Sequence, residues 1–504
     1  MLASVRSAVL VGVDAHPVHV EVHVASHGLP GYNLVGLPDA AVREARERMR
    51  AAIVSSGFEW PQRRITVNLA PSGLRKTGAG LDLPAALGVL VANGALPEPA
   101  LEGVGVIGEL GLDGSIRPVP GTLALVDTLR QSGAVSVLIP MDNAAEAALV
   151  GGIRVLPCRS LAEARACLKD EAPWPEPPSP RERAMRTPPP PDTPMVELGD
   201  VRGLAGARRA LEVAVAGGHH LLLVGPPGAG KTLLAHCLPS ILPPLADDEA
   251  LEVTKIHSAA GHPVGGTLLR SRPFRAPHHT ASAAALVGGG SGRPRPGEAT
   301  LAHRGALFLD ELGEFTPRVL DALRQPLEER VVRISRQHSA ITFPADFLLV
   351  ASTNPCPCGL GPPRCTCNDA LRARYRRRLS GPLVDRFDLR VAVGTAPPDA
   401  PLGPPSAEVA GRVARAVTRQ AARYRGAAWR RNAAVPAGAL LRDIPLSEEV
   451  DRALQEAARR REWSGRGLAG VRRVARTLAD LDDMVTVTVG HVLLAAGMRE
   501  DVLA

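Results

Sequence analysis

Apolar positions along the chain follow two rhythms. In the first 170 residues, His19–Val24 alternates apolar with polar and Ile65–Leu69 is rich in β-formers, whereas Ala40–Ser55 and Leu83–Val91 have helical composition. This mixture predicts an α/β or α+β domain. Further on, three runs are apolar nearly throughout and each ends in a polar or turn-forming group. Leu221–Val224 runs into Gly225, Ala306–Leu309 into Asp310 and Glu311, and Phe347–Ala351 into Ser352, Thr353 and Asn354. Short continuous apolar runs suit strands covered on both faces, so these predict a sheet whose carboxyl edge gathers the groups at their ends. Leu389–Val393 is a further strand candidate, and after residue 406 the segments Val409–Tyr424, Ser447–Arg461 and Gly470–Asp480 carry Ala, Leu and Arg at helical spacing. No long-period repeat is present.

Two proline-rich breaks divide these patterns. Ala172–Pro194 contains Pro-Trp-Pro-Glu-Pro-Pro-Ser-Pro and Thr-Pro-Pro-Pro-Pro, a composition that predicts an extended, semi-rigid linker. Ala396–Ser406 marks the exit from the apolar-strand region into the helical one. The expected division is therefore an α/β N-terminal domain over 1–171, a linker over 172–194, an α/β core over 195–396 and a helical part over 397–504. A length of 504 residues also exceeds what one hydrophobic core usually supports.

The chemistry begins at Gly225, Pro226, Pro227, Gly228, Ala229, Gly230, Lys231 and Thr232, which read as a phosphate loop set between a strand and a helix. Glycines without a Cβ let the chain wrap tightly and aim backbone N–H groups at phosphate oxygens, while the following helix presents its positive end. Lys231 would neutralise the β- and γ-phosphates, and Thr232 would offer its hydroxyl to Mg²⁺. Asp310 at the next strand end would hold Mg²⁺ through water, and Glu311 would orient or deprotonate the attacking water. Asn354 would hydrogen-bond the γ-phosphate or that water. These residues together predict ATP binding and hydrolysis with Mg²⁺.

Composition narrows the class further. Hydrophobic residues make up 45% of the chain and charged ones 22%, the balance of a soluble globular protein. No stretch approaches the roughly 20 apolar residues that span a bilayer, and Ala8–Val13 is too short for a signal peptide, so no membrane association and a cytoplasmic location are expected. The net charge of +8 rests on arginine more than lysine, which suits polyanionic partners or merely tracks base composition. Arg372, Arg374, Arg376, Arg377 and Arg378, with a second run over Arg423–Arg431, are either phosphate contacts for nucleic acid or a solvated helix face. Aromatic residues are only 3% of the chain, so any DNA binding should rest on backbone charge and not on base stacking. Four of the seven cysteines, Cys356, Cys358, Cys365 and Cys367, lie within twelve residues, which excludes a disulfide scaffold for the whole chain. Their C-x-C spacing leaves open a zinc knuckle or a loop of reduced thiols. His278 and His279 are metal ligands or structural residues.

Several longer motifs carry a family resemblance. Pro273-Phe274-Arg275-Ala276-Pro277-His278-His279, Gly297-Glu298 with Leu301-Ala302-His303, Leu309-Asp310-Glu311-Leu312, Ser380-Gly381-Pro382 with Asp385-Arg386-Phe387-Asp388, and Val474-Ala475-Arg476-Thr477-Leu478-Ala479-Asp480 resemble the magnesium-chelatase-like AAA+ ATPases of the ComM (YifB) family. The resemblance implies an α/β multidomain chain: a Lon-protease-like (S5-like α+β) N-terminal domain, an AAA+ P-loop core and a helical lid at the C-terminus. It implies that Arg386 is an arginine finger acting on a neighbouring subunit, with a salt bridge to Asp385 or Asp388 as the alternative. Arg466 matches the lid arginine, although Arg472, Arg473 and Arg476 compete for that role. A finger acting in trans implies a homo-oligomer, a ring and in this family a hexamer. The N-terminal motifs Gly31-Tyr32-Asn33-Leu34-Val35-Gly36-Leu37-Pro38, Asn68-Leu69-Ala70-Pro71 and Gly108-Glu109-Leu110 fit the Lon-like domain. Leu123 stands where Lon proteases carry their catalytic lysine, and the serine position falls within Gly80-Leu81-Asp82, so protease activity is not expected. The implied function is a DNA helicase or branch-migration motor, with Ser271–Arg295 and the hairpin-like Arg330–Phe343 as DNA-contacting candidates. The alternatives are a metal-chelatase motor subunit and an ATP-switched regulatory or chaperone-like module.

Overall fold

The computed structural model describes residues 1–177 except 77, and residues 196–502 except 263, 291–293, 337–338, 362–363, 380, 398 and 501. Most of the proline-rich linker at 172–194 therefore lies outside the described residues. The N-terminal strands form one seven-stranded mixed sheet. At its centre Leu2–Val11 and Asp14–Val24 pair antiparallel over their whole length, joined by a tight turn at Gly12. Alternation along Asp14–Val24 puts Val18, Val20, Val22 and Val24 inward, where the wholly buried helix Asp82–Ala92 covers them. The helical run at 40–55 is two pieces, Ala40–Arg43 and Ala45–Ser55.

The second sheet is parallel throughout and has five strands. From one edge they are Phe274–Arg275, Ala306–Leu309, Leu348–Thr353, Leu221–Val224 and Leu389–Ala392. The central strands are buried at every residue, as their unbroken apolar character requires. This order and the phosphate loop after Leu221–Val224 match an AAA+-like core.

The C-terminal helices are Ser406–Arg423, Glu448–Arg460, Gly465–Leu481 and Val489–Gly497. Two depart from the sequence expectation. The helix expected at Gly470 starts at Gly465, because the Ser464 hydroxyl accepts the Gly467 N–H as an N-cap. Val489–Gly497, capped in the same way by Thr488, was not anticipated. Ser406–Arg423 and Gly465–Leu481 pack on helix Ala205–Gly217, and one apolar cluster runs from Leu211 and Leu221 to Val413 and Leu478. A buried polar network fixes the same junction. His219 bonds Asp388 Oδ2 at 3.0 Å and Thr477 Oγ1 at 2.8 Å, and Asn432 Nδ2 donates to Thr477 and to Asp480, each at 2.9 Å. Burial alone would raise the pKa of Asp388, but the hydrogen bond and charge of His219 hold it at about 2.

The N-terminal domain sits on the core through helix Asp247–Ala259. Lys255 Nζ donates to Asp127 at 2.7 Å, the Ser258 hydroxyl bonds Glu146, and the Gly121 N–H donates to the Ser258 carbonyl at 3.1 Å. The turn at Gly12 rests on Ile341 and Phe343 at the base of an antiparallel hairpin, Val331–Arg336 paired with Ser339–Pro344. The candidate DNA hairpin is therefore anchored at its base, while residues 337–338 between its strands lie outside the described residues.

His220 opens the phosphate-loop strand, and its Nδ1 accepts the Leu349 N–H at 3.0 Å, a bond that only the unprotonated nitrogen can make. Burial drives its pKa down to about 4, whereas an unfolded histidine takes up its proton near pH 6.5. Its contribution to stability is thus complete above pH 6.5 and is lost as pH falls toward 4. Urea unfolding of the core at pH 7.5 and pH 5.0 should show a loss about 2 kcal/mol smaller in His220→Gln than in the parent chain. Equal losses in both would contradict the assignment.

Candidate functional site

The parallel register decides which groups meet. Leu221–Val224, Ala306–Leu309 and Leu348–Thr353 all end at the same sheet edge, so the phosphate loop, Asp310 with Glu311, and Asn354 converge there. Gly228 and Gly230 hold φ values of +76° and +84°, the left-handed region that favours glycine. Gly225 is required for another reason: a Cβ there would stand 2.1 Å from the Val393 carbonyl oxygen. The helix that follows the loop is short, Lys231–His236, and Leu238–Ile241 resumes after Cys237.

Lys231 is 8% exposed, and its ammonium donates to the carbonyls of Gly225 at 2.7 Å and Pro226 at 2.8 Å and to Asn354 Oδ1 at 3.3 Å. Burial pushes its pKa below the ordinary lysine value, with Asp310 and Glu311 pulling the other way. The Thr232 hydroxyl donates to Asp310 Oδ2 at 2.9 Å. A hydroxyl and a carboxylate at this separation are hard oxygen donors of the kind Mg²⁺ takes, so this pair fits that ion. Asp310 Oδ1 accepts the Ser352 hydroxyl and the Glu311 N–H, which orients the carboxylate from behind.

Glu311 occupies the left-handed region at φ +53°, so the chain turns sharply off the strand. Its carboxylate is half exposed and lies 3.4 Å from His279 Nδ1. The His279 ring in turn lies against that of His278, tilted by 34° with the centroids 4.0 Å apart. Two residues that the sequence reading missed or undervalued thus belong to this edge. Ser352 sits two positions before Asn354 on an apolar strand, where its polarity was the available signal. His279 stands out in the sequence as half of a histidine pair, but its contact with Glu311 arises only through folding.

Arg386 and Arg466 are elsewhere. Leu389 pairs with Leu221 and Ala392 with Val224, so Arg386, three residues before this strand, lies at the amino edge of the sheet. The four-residue strand separates it from the phosphate loop by at least about 10 Å. Arg386 and Arg466 both pair with Glu328, the latter at 3.3 Å. They line a cleft of about 1100 Å³ with Arg390, Arg461 and Arg499. The flanking acids are otherwise engaged: Asp388 with His219, and Asp385 with Arg390 and Arg499. Arg472 binds the Ile444 carbonyl, Arg473 the Val435 carbonyl and Arg476 Asp480, which leaves half-exposed Arg466 as the member of that group facing the cleft.

The four clustered cysteines follow Asn354 directly, and their sulfurs all lie within 4.8 Å of one another. On the arginine-rich helix Asp369–Arg378, Arg374, Arg376, Arg377 and Arg378 are exposed. Among the described residues, no helix is long and apolar enough to cross a membrane.

Comparison with known proteins places this geometry. Family models match over three segments: "Magnesium chelatase, subunit ChlI" at residues 197–400, "Subunit ChlI of Mg-chelatase" at 20–143 and "Magnesium chelatase, subunit ChlI C-terminal" at 403–499. The uncharacterised protein Rv2897c of Mycobacterium tuberculosis is 43% identical over 97% of both chains. YifB of Escherichia coli is 40% identical over 99% of this chain and 97% of its own, and the competence protein ComM of Haemophilus influenzae 39% over the same shares. A partial likeness, 28% identity over 31% of this chain and 32% of the relative, runs to Lon protease 2 of Bacillus subtilis. With a parallel sheet, a phosphate loop and adjoining acids arranged as above, the chain belongs to the ComM/YifB family of magnesium-chelatase-like AAA+ ATPases.

Proposed function

We propose that this chain is the subunit of an ATP-hydrolysing ring, a hexamer, that works on DNA as a helicase or branch-migration motor. The observation that carries the reading is the division of catalytic groups between the two edges of one sheet. The phosphate loop, Asp310, Glu311 and Asn354 occupy one edge and Arg386 with Arg466 the other, so a complete site needs two copies of the chain.

In this reading the backbone N–H groups of Gly228, Ala229 and Gly230, with Lys231, bind the triphosphate. Thr232 and, through water, Asp310 would hold Mg²⁺, whose charge would offset that of the triphosphate. Glu311 accepts a proton from the attacking water, with His279 setting the direction of its carboxylate, and Asn354 positions that water or the γ-phosphate. Arg386 of one subunit reaches the γ-phosphate of the next and stabilises the charge that develops there. Arg466, on the helix Gly465–Leu481, couples the same interface to movement of the C-terminal helices. The domain division follows from this: a Lon-like domain over 1–171 without protease chemistry, a linker over 172–194, the AAA+ core over 195–396 and a helical lid over 397–504. The partial likeness to Lon protease 2 supports the first of these.

The DNA reading rests on the name of the competence protein ComM and on the exposed arginines of helix Asp369–Arg378. A cytoplasmic location accords with a DNA substrate. A metal-chelatase motor and an ATP-driven regulatory module remain the alternatives, and a missing response to DNA would favour them.

Lys231→Ala should abolish ATP binding. Glu311→Gln should bind ATP as tightly as the parent yet turn over roughly 10²-fold more slowly, the scale of a lost general base; equilibrium binding with single-turnover hydrolysis checks both. Steady-state ATPase assays at low salt should show stimulation by single-stranded or three-strand junction DNA, with the stimulation declining steeply as salt rises. An ATPase rate indifferent to DNA at every salt concentration would remove the helicase reading.

A further inference from the structure

The cysteine cluster touches the nucleotide site. Cys356 follows Asn354 by two residues and is 2% exposed. Its Sγ lies 3.3 Å from that of Cys358 and 3.5 Å from that of Cys365, and Cys358 and Cys365 are 3.8 Å apart. Four sulfurs each about 2.3 Å from a tetrahedral zinc ion lie about 3.8 Å apart, close to these separations. The surrounding backbone is arranged for thiolates. The Cys358 N–H donates to Cys367 Sγ at 3.4 Å. Amides directed at the sulfurs of a metal site orient the ligands and stabilise their negative charge.

The same loop abuts the phosphate loop. Gly359 holds a φ of +81°, and a Cβ placed on it would stand 2.8 Å from Cδ of Pro227. Its N–H donates to the Cys356 carbonyl at 2.9 Å, so the first cysteine pair and this contact form one tight turn. The second pair leads through the Asn368 cap into helix Asp369–Arg378, whose Tyr375 hydroxyl bonds Thr353 Oγ1 at 2.8 Å and the Asn354 carbonyl at 3.2 Å. One ion held by all four sulfurs would therefore tie together the Asn354 strand end, the Tyr375 helix and the turn that supports Pro227.

We propose that Cys356, Cys358, Cys365 and Cys367 bind a structural zinc ion that clamps the phosphate loop and Asn354 in their working positions. The consequence for nucleotide affinity rests on the ATP-site reading above; the metal site and the clamp do not.

The test uses the full chain purified under reducing conditions without chelator. Metal analysis should find about one zinc ion per chain, the complement of a four-thiolate site. It should be lost in the double variant Cys365→Ser with Cys367→Ser, whose substitutions lie far along the loop from Pro227. In that variant the amides of residues 228–232 should exchange faster with deuterium, and fluorescent ADP should bind about tenfold more weakly, the scale of a lost positioning contact. Where the double variant does not fold, the parent chain stripped with 1,10-phenanthroline provides the same comparison. Gly359→Ala should keep its zinc and still weaken ADP binding, because it alters the contact and leaves the ligands intact. Metal-free protein with all four thiols titratable would overturn the site. Zinc loss without any change in exchange at 228–232 would overturn the clamp. Failure of the parent chain to bind ADP would refute the nucleotide reading alone, since the exchange comparison still decides on the clamp.

Discussion

Everything at the candidate site depends on the parallel register of one five-stranded sheet. Parallel strands send all their carboxyl ends to one side, and this places the phosphate loop, the acidic pair and Asn354 within reach of one another. The same register sends the residues before each strand to the opposite side. Arg386 precedes Leu389–Ala392, so the pairing that gathers the phosphate loop and its neighbours at one edge keeps Arg386 away from them. In the proposed ring, the amino edge of one copy would face the carboxyl edge of the next and so resolve this separation without any rearrangement of the sheet.

Within each half, buried polar groups are held by neighbours that fix their direction. Lys231 is nearly enclosed yet has three oxygen acceptors, and Asp310 is oriented by Thr232, Ser352 and the Glu311 amide. Such satisfaction limits how far these side chains can wander, because an unpaired buried charge is far more costly than a paired one. At the other edge Glu328 plays a comparable part by drawing Arg386 and Arg466 together. The C-terminal helices join the sheet through both apolar packing and the His219, Asp388, Thr477 network. Displacement of those helices would therefore be felt at the start of the phosphate-loop strand, where His219 and His220 lie.

Much of this was legible in the sequence for definite reasons. The buried strands read as unbroken apolar runs, and the groups at their ends announced the edge on which they would meet. The chemistry of the phosphate loop is local, since eight consecutive residues carry it. What escaped notice depends on contacts between distant segments. Gly225 reads as a phosphate-binding glycine, yet its lack of a Cβ is demanded by the Val393 carbonyl. Glu328 is an ordinary acid in a helical stretch until folding brings two arginines to it. The helix start at Gly465 was missed because two glycines within its first turn obscure the pattern, while the Ser464 cap that sets it is a single residue. Spacing alone does not separate Arg466, Arg472, Arg473 and Arg476, whereas in the fold the last three turn to the Ile444 and Val435 carbonyls and Asp480, and Arg466 turns to Glu328 at the cleft.

The central claim is that one catalytic site is built from two subunits, and subunit mixing tests it most directly. Lys231→Ala and Arg386→Ala chains, carrying different affinity tags, would be coexpressed, the mixed assemblies isolated through both tags and their ATPase rate measured. Mixed rings contain interfaces in which an intact phosphate loop meets an intact Arg386, so the account predicts a rate well above that of either variant alone. A rate no higher than the average of the two separate variants would place Arg386 and Lys231 in the service of the same subunit and contradict it.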